Sequence, residues 1–564
     1  MTKKKATLFT TAILKGGWLL ICTDIALWLH KSDGYKQITI EQTSNYNPFN
    51  LFSLLLRIKN LSSYLTLNKF KKLVRYLNFK YKKLESYTNS KYQKNNISEL
   101  MNFTNEKINE TSIVIDDLKI EFVRKKFKKK FFILNYLTLS FRTIVDYISY
   151  FRKSALHNKA YLKYKVDSVY AGLHVLSEAL RSDYKSCGSI FHCRLGILTA
   201  LYKLHSNYSQ FKEINLKKES TYVIGPAQQY IYGFSSRLIS DQGACFIETS
   251  SIQQPYIKLE LKNKYYSRLS QIPKELNFAK IKKEKVFKYY KNRIEKPWKV
   301  FNYKFEKYSA NKELTNLNGV TVILYLHIFT DAQYVYGYDG YHDLMDWCLK
   351  TISLLNSNEH VSKVIVKPHP ECTNAHHPGD VIANKYLKSQ ISRFDKVEWA
   401  DFHFDVNHID TSGLVVGITH HGSVAEELVF NKIPVIASTC SNWGEEYKFG
   451  YWWKDVKDYE NLISSKAITE LVVTNTQIDE LYRYANDLYF SENSKKIFKY
   501  DSTWQDMLRI YDGVEDRNEH GENMEQINYL VSNIDPEDRQ FKEYIASRLQ
   551  RINLLKDLPT RLTI

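Results

Sequence analysis

Two short strings hold most of the residues that could do chemistry. In VSKVIVKPHP, a β-branched run ends in Lys367, Pro368, His369 and Pro370, so a buried parallel strand releases a cation and an imidazole at its carboxyl end. In GLVVGITHHGSVAEELVFNKIPVIAS, an apolar strand leads through Thr419, His420, His421, Gly422 and Ser423 into a helix and then a further strand. These are donors suited to phosphate. At Gly422-Ser423 the first N–H groups of a helix point outward with the positive end of its dipole. Ser423 and His369 add directional donors for a leaving phosphate, and Glu426 or Glu427, one turn on, can accept from ribose hydroxyls. The same residues also have a purely structural reading, in which Gly422 makes the turn, Ser423 caps the helix and Glu426 completes a capping box. For Ser423 the two readings are compatible.

The elements around these strings repeat one pattern. After Asn318-Gly319, VTVILYLHIF reads as a buried strand, YHDLMDWCLKTISLL as an amphipathic helix, SKVIVKPHP as the next strand and Val397 to Ala400 as a short third one. Alternation of this kind implies a parallel, doubly wound sheet, with ligands at the carboxyl ends of its strands. Those ends present His327 and Asp331, then Lys367 and His369, then Thr419, His420, His421, Gly422 and Ser423, on one rim. Asp339, Asp343 and Asp346 read as a loop and a helix N-terminus, where negative charge is favourable. There is no GxxxxGK[ST], which argues against a P-loop kinase. The paired histidines at 376–377 and 420–421 lack an HExxH partner, so no metal site is expected.

The remainder of the 564 residues bounds the class. Hydrophobic content of 44% with 25% charged residues is that of a soluble globular chain of two or three domains. A net charge of +19 fits an anionic partner, and equally a compositional bias toward lysine. Seven scattered Cys with no CxxC point to a reducing cytoplasm, not to a disulfide framework. Ala6 to Trp28 is interrupted by Lys15, Gly16, Gly17 and Asp24, and so reads as strand, loop and helix instead of a membrane span. Tyr35 to Glu41 is a second strand. Residues 49–165 read as a basic, largely helical insertion, in which RKKFKKK at 124–130 precedes an apolar helix. That run is a membrane-surface patch or a solvated turn. Farther on, Arg181 and Arg237 either meet an anion in a cleft or make internal ion pairs. Residues 252–314, broken by prolines, read as a linker or crossing helices, with a domain boundary near 300–318.

KPHP followed some fifty residues later by THHGSVAEELVFNKIPVIAS resembles the nucleotide-sugar half of GT-B glycosyltransferases, most of all the bacterial capsule polysaccharide transferases of Kdo-transferase type. HIFTDAQYVYGYDGYHDLMDWCLKTI and SNWGEEYKFGYWWKDVKDYENLI fit the same pattern. The likeness covers residues 318–465 well and 166–250 loosely. It implies an α/β GT-B enzyme that works without a metal or cofactor. Two Rossmann-like domains, at 1–300 and 318–500, would face each other across the active site, followed by a helical tail at 501–564. His369 and Pro370, with Gly422 and Ser423, would hold the donor phosphate, and Glu427 or Glu426 the ribose. Asp24 and Asp241 are candidate bases for the acceptor hydroxyl. The expected partners are a nucleotide-sugar donor, a surface glycan or glycolipid acceptor and the anionic inner face of a membrane, with no specific nucleic acid. Three other readings stay open: a teichoic-acid-type polyol-phosphate transferase, a nucleotide-sugar epimerase and a non-catalytic basic binding protein.

Overall fold

The computed structural model describes residues 5–10, 22–30 apart from 24 and 28, 34–43, 111–115, 118–125, 132–211, 221–225, 230–241, 245–248, 257–259, 277–295, 319–369 apart from 332, 378–400, 406, 409 and 413–490. Asp24, Pro370, most of the expected insertion and the tail at 501–564 lie outside them. Two parallel sheets organise what is described.

The first sheet has the order β3-β4-β2-β1-β7-β8-β9. Its parallel centre is β1 (Lys5–Thr10), β2 (Gln37–Thr43), β4 (Leu118–Lys125), β7 (Thr221–Gly225) and β8 (Cys245–Glu248). At the edges β3 (Thr111–Ile115) and β9 (Ile257–Leu259) run antiparallel. Residues 111–125 therefore correct the expectation of a helical insertion. TSIVI and LKIEFVRK pair as antiparallel strands, and the alternating apolar residues Leu118, Ile120 and Phe122 are buried.

Helices follow that strand set. α1 (Phe132–Asp146) continues through a π-helical turn, Tyr147–Phe151, to α2 (Lys153–His157) and a small hairpin of β5 (Lys165–Val166) and β6 (Val169–Tyr170). α3 (Gly172–Ser182), α4 (Arg194–Phe211) and α5 (Tyr230–Asp241) pack together. Leu176, Leu180, Leu201, Leu204, Phe234 and Leu238 make their common core. At roughly 2 kcal/mol for each fully buried large aliphatic or aromatic side chain, this cluster is a main source of the unit's stability.

The second sheet runs β12-β11-β10-β13-β14-β15, all parallel. Its strands are β10 (Val320–Tyr325), β11 (Val361–Lys367), β12 (Val397–Trp399), β13 (Val415–Thr419), β14 (Val435–Ser438) and β15 (Tyr451–Trp453). α7 (Leu344–Ser357), α8 (Pro378–Ile391) and α10 (Val456–Ser464) contribute to a core with Val322, Val364 and Ile418. On the other face α6 (Lys283–Glu295), α9 (Val424–Phe430) and α11 (Asn475–Ala485) pack with Ile323, Ile365 and Val435. Gly417 is required in β13, because a Cβ there would lie 2.5 Å from Leu428 Cδ1 of α9.

α6 corrects a second expectation. Although it precedes residue 300, it packs on the second sheet, where Tyr290 is fully buried. Its hydrogen-bond partners on α9 and at the N-cap of α9 are 130 or more residues downstream.

Candidate active site

The carboxyl ends of β11, β10 and β13 are neighbours, and their register is level. Tyr325 pairs with Lys367 on one side and with Thr419 on the other. Two residues past that row come His327, His369 and His421. Equal offsets just beyond a level row of strand ends bring them to one place. The His327 ring centre is 5.9 Å from that of His369 and 4.0 Å from that of His421. His369 is half-buried and His421 is buried. Below this row Thr419 is 1% exposed, and Lys367, also buried, holds its ammonium 5.6 Å from the centre of the Tyr325 ring.

Burial favours the neutral imidazole in two of these rings. It pushes His327 down to about 4, with the charge of His420 adding to the effect and Ile328 and Asp331 opposing it. His421 lies well below the ordinary histidine range, first through burial and then through His327 and His420.

His420 faces the opposite way. Its Nε2 lies 2.5 Å from Oδ2 of Asp339, a buried carboxylate that also accepts from Ser438 Oγ at 3.1 Å. Its Nδ1 lies 2.7 Å from Nδ1 of His421, and the edges of Trp347 and Trp453 enclose it. Nε2 of His421 is buried and has no hydrogen-bond partner. Sequence reading took Asp339 for a loop residue. The string GYDG gives no hint of its partner, which is 81 residues away.

At the Gly422-Ser423 turn the structural reading of the serine fails. Ser423 is exposed, and although it occupies the N-cap position of α9 its side chain makes no capping bond. Its hydroxyl is therefore not consumed by the helix. A Cβ on Gly422 would lie 2.7 Å from Thr419 Oγ1, which keeps the turn tight against the strand end.

Glu426 and Glu427 depart from expectation. Arg293, 2% exposed, enters from α6 and donates from Nε to Glu427 Oε1 at 2.8 Å and from Nη2 to the Ser423 carbonyl at 3.2 Å. Its Nη1 approaches Glu426 Oε2 at 3.4 Å, and Tyr290 donates to the same oxygen at 3.0 Å. Burial pushes the Glu426 carboxyl up while Arg293 opposes it. Burial also works against the Arg293 cation, but Glu426 and Glu427 more than offset it. With both carboxylates held inward by α6, they are not presented to a ribose.

The remaining expected residues lie toward the first unit. Tyr230 OH donates to Asp331, which ties the rim of the second sheet to the start of α5. Arg181 is exposed, with its guanidinium 4.5 Å from the centre of the Tyr230 ring, so it stands where the two units meet. Arg237 is instead 6% exposed and lies beside His174, which makes it an internal residue of the first unit. Asp241 ends α5, and its side chain is outside the described residues. Near the same junction Asp343 caps α7 by accepting from Asp346 N at 2.7 Å, and it also accepts from Ile190 N at 2.8 Å. Among the described residues no group of His, Cys, Asp and Glu has the arrangement of a metal site.

The architecture is thus a pair of parallel α/β sheets with a histidine-rich rim on the second. No protein-family model matches the chain, and no curated protein matches it. Among solved structures it overlaps an α,α-trehalose-phosphate synthase (UDP-forming) from Burkholderia vietnamiensis at 8% identity and a TM-score of 0.30, covering 90% of this chain and 99% of that one. The corresponding Burkholderia multivorans enzyme gives 10% identity and 0.28, with 90% and 99% covered. A trehalose-6-phosphate structure from E. coli, bound with UDP-2-fluoro glucose, gives 8% and 0.26, with 87% and 96% covered. At these TM-scores the chemistry rests on this chain's own residues.

Proposed function

We propose that the protein is a GT-B glycosyltransferase that moves a sugar from a nucleotide donor to a surface glycan or glycolipid, with the donor phosphate at the carboxyl ends of β10, β11 and β13. The observation that carries this reading is the level row of His327, His369 and His421 from three adjacent parallel strands. The imidazoles of the row and the Ser423 hydroxyl can serve as directional donors. Held on strand ends, they need little reorganisation as negative charge develops on a leaving phosphate. Lys367, two residues before His369, supplies a cation beside Tyr325. In this reading the chain's own donors neutralise the leaving group and no metal is required. A thermal-shift panel of CMP, UDP, GDP and CDP tests it, since a nucleotide that binds the folded state raises its melting temperature. One nucleotide should stabilise the wild type and lose that effect in His369→Ala. Absence of any shift would remove the reading.

The expected membrane contact has a candidate surface on α1 and the π-helical turn that continues it. Phe141, Ile144, Val145 and Ile148, at helical spacing, are 72%, 48%, 42% and 51% exposed. Arg142, Arg152, Lys153, Arg194 and Leu195 are exposed as well, and Arg194 reaches to 5.9 Å from the Tyr147 ring centre. Residues 118–165 contain thirteen Lys or Arg against two acids, Glu121 and Asp146. An apolar stripe among cations suits the headgroup region of an anionic bilayer better than it suits a nucleic acid. Among the described residues no helix is long and apolar enough to cross a membrane. The protein should float with phosphatidylglycerol vesicles and not with phosphatidylcholine ones, and Phe141→Asp with Ile148→Asp should weaken flotation about ten-fold. Flotation that ignores both lipid charge and these substitutions would exclude this surface.

A further inference from the structure

The chain of contacts from Asp339 through His420 to His421 restricts where protons can sit. A carboxylate can only accept, so His420 donates from Nε2–H to Asp339. In the arrangement with His420 uncharged, its bare Nδ1 accepts the Nδ1–H of His421 across 2.7 Å. That leaves Nε2 of His421 with a lone pair, buried and without a partner. A buried nitrogen of this kind is costly to leave unmade, and it points to a group supplied from outside the chain.

We propose that Asp339 and His420 are positioning residues that hold His421 as an acceptor in the empty site and turn it into a donor when a phosphate group seats on the rim. The step balances with one solvent proton. That proton adds to Nε2 of His421, and the proton on its Nδ1 crosses to Nδ1 of His420. His420 becomes an imidazolium beside the Asp339 carboxylate, while His421 stays neutral and now donates from Nε2–H to a phosphate oxygen. No proton leaves, so binding takes up one.

The charge thus rests on His420, next to its counterion, and not on His421 itself. This suits a ring that burial and neighbouring imidazoles keep from ionising alone. The titratable groups facing His421 are His327 and Tyr336 from the loop after β10 and His420 beside it, with His369 beyond His327. Asp339 faces His420, accepts from Ser438 Oγ and Tyr341 N, and lies within electrostatic reach of Tyr334, Tyr341, Cys440 and Tyr459. The half-buried His327 ring is the neighbour closest to His421 among these rings, at 4.0 Å between ring centres.

This inference rests on the phosphate-site reading for its ligand but not for its proton arrangement, and two measurements separate the two. Histidine 15N spectra of the ligand-free protein should show His420 protonated at Nε2 and His421 at Nδ1. In Asp339→Asn, whose amide can donate to His420, that pattern should change. Finding His421 protonated at Nε2 in the wild type overturns the relay, whether or not the variant folds. Calorimetry with the nucleotide that stabilises the protein, in two buffers of different ionisation enthalpy, should show about one proton taken up per site in the wild type and none in Asp339→Asn. Binding without proton uptake overturns the relay and leaves the phosphate site standing. Failure of every nucleotide to bind removes that site, and the spectra still decide the relay.

Discussion

Arg293 Nε lies 2.8 Å from Glu427 Oε1, joining a helix that precedes residue 300 to the helix that follows the histidine turn. The guanidinium is 2% exposed and also contacts Glu426, itself 1% exposed. Removing one member of a buried ion group leaves the other charge uncompensated, at a cost of about 3–5 kcal/mol. Arg293→Met should lower the unfolding free energy of the second unit by that amount in urea titrations, and adding Glu426→Gln should restore part of it. A loss within 1 kcal/mol, taken as about the value of an exposed pair, would show that the group is solvated.

Ser423→Ala separates binding from capping. A serine that caps its helix stabilises the protein by about 1 kcal/mol, whereas this one makes no capping bond. The substitution should leave the melting temperature unchanged and weaken nucleotide binding about ten-fold, the equivalent of one lost hydrogen bond to a charged group. A fall in melting temperature with unchanged affinity would reverse the assignment.

Acidification should destabilise the fold between about pH 6.5 and pH 4. Burial holds His174 down to about 3 and His327 down to about 4, against 6.5 for a free histidine. Over that window the unfolded chain binds protons that the folded one does not, so stability falls with pH. Asp343 acts in the opposite sense, because burial raises it to about 6 and the folded state protonates first. The two histidine shifts together outweigh that single aspartate. Urea midpoints measured at steps across the window should therefore drop, and drop further in Asp343→Asn, which removes the opposing group. A midpoint that rises on acidification would contradict this balance.

Chelation should not touch the reaction. If His369, Lys367 and Ser423 neutralise the leaving phosphate, excess EDTA leaves turnover within about two-fold, while His369→Ala removes roughly 2.7–4 kcal/mol of transition-state stabilisation, a hundred-fold or more in rate. Loss of activity in EDTA with rescue by a divalent ion would assign the neutralising charge to a metal.

Much of the second sheet was legible because its strands are β-branched runs ending at Pro, His or Gly, and those ends name the rim residues directly. Pattern alone could not give the lateral pairing. Asp339 was missed because its role depends on where a loop lands relative to His420. Glu426 and Glu427 were misread for a related reason: one turn of helix looks outward in sequence, and only α6, arriving from far upstream with Arg293, turns those carboxylates inward. The β3–β4 pair is readable from its apolar alternation, but the Lys- and Asn-rich surroundings give it the look of an insertion.

The equal offset of His327, His369 and His421 from one paired row makes three strands into rulers of a common length. Loops and helices between them can lengthen or shorten freely, because nothing in the rim counts residues across a connection. Within each strand end the count matters: one residue inserted between Tyr325 and His327, or between Thr419 and His421, moves that imidazole out of the common row. A chain sharing this site can therefore be recognised by three short strand-to-histidine intervals, however little else of its sequence is held in common.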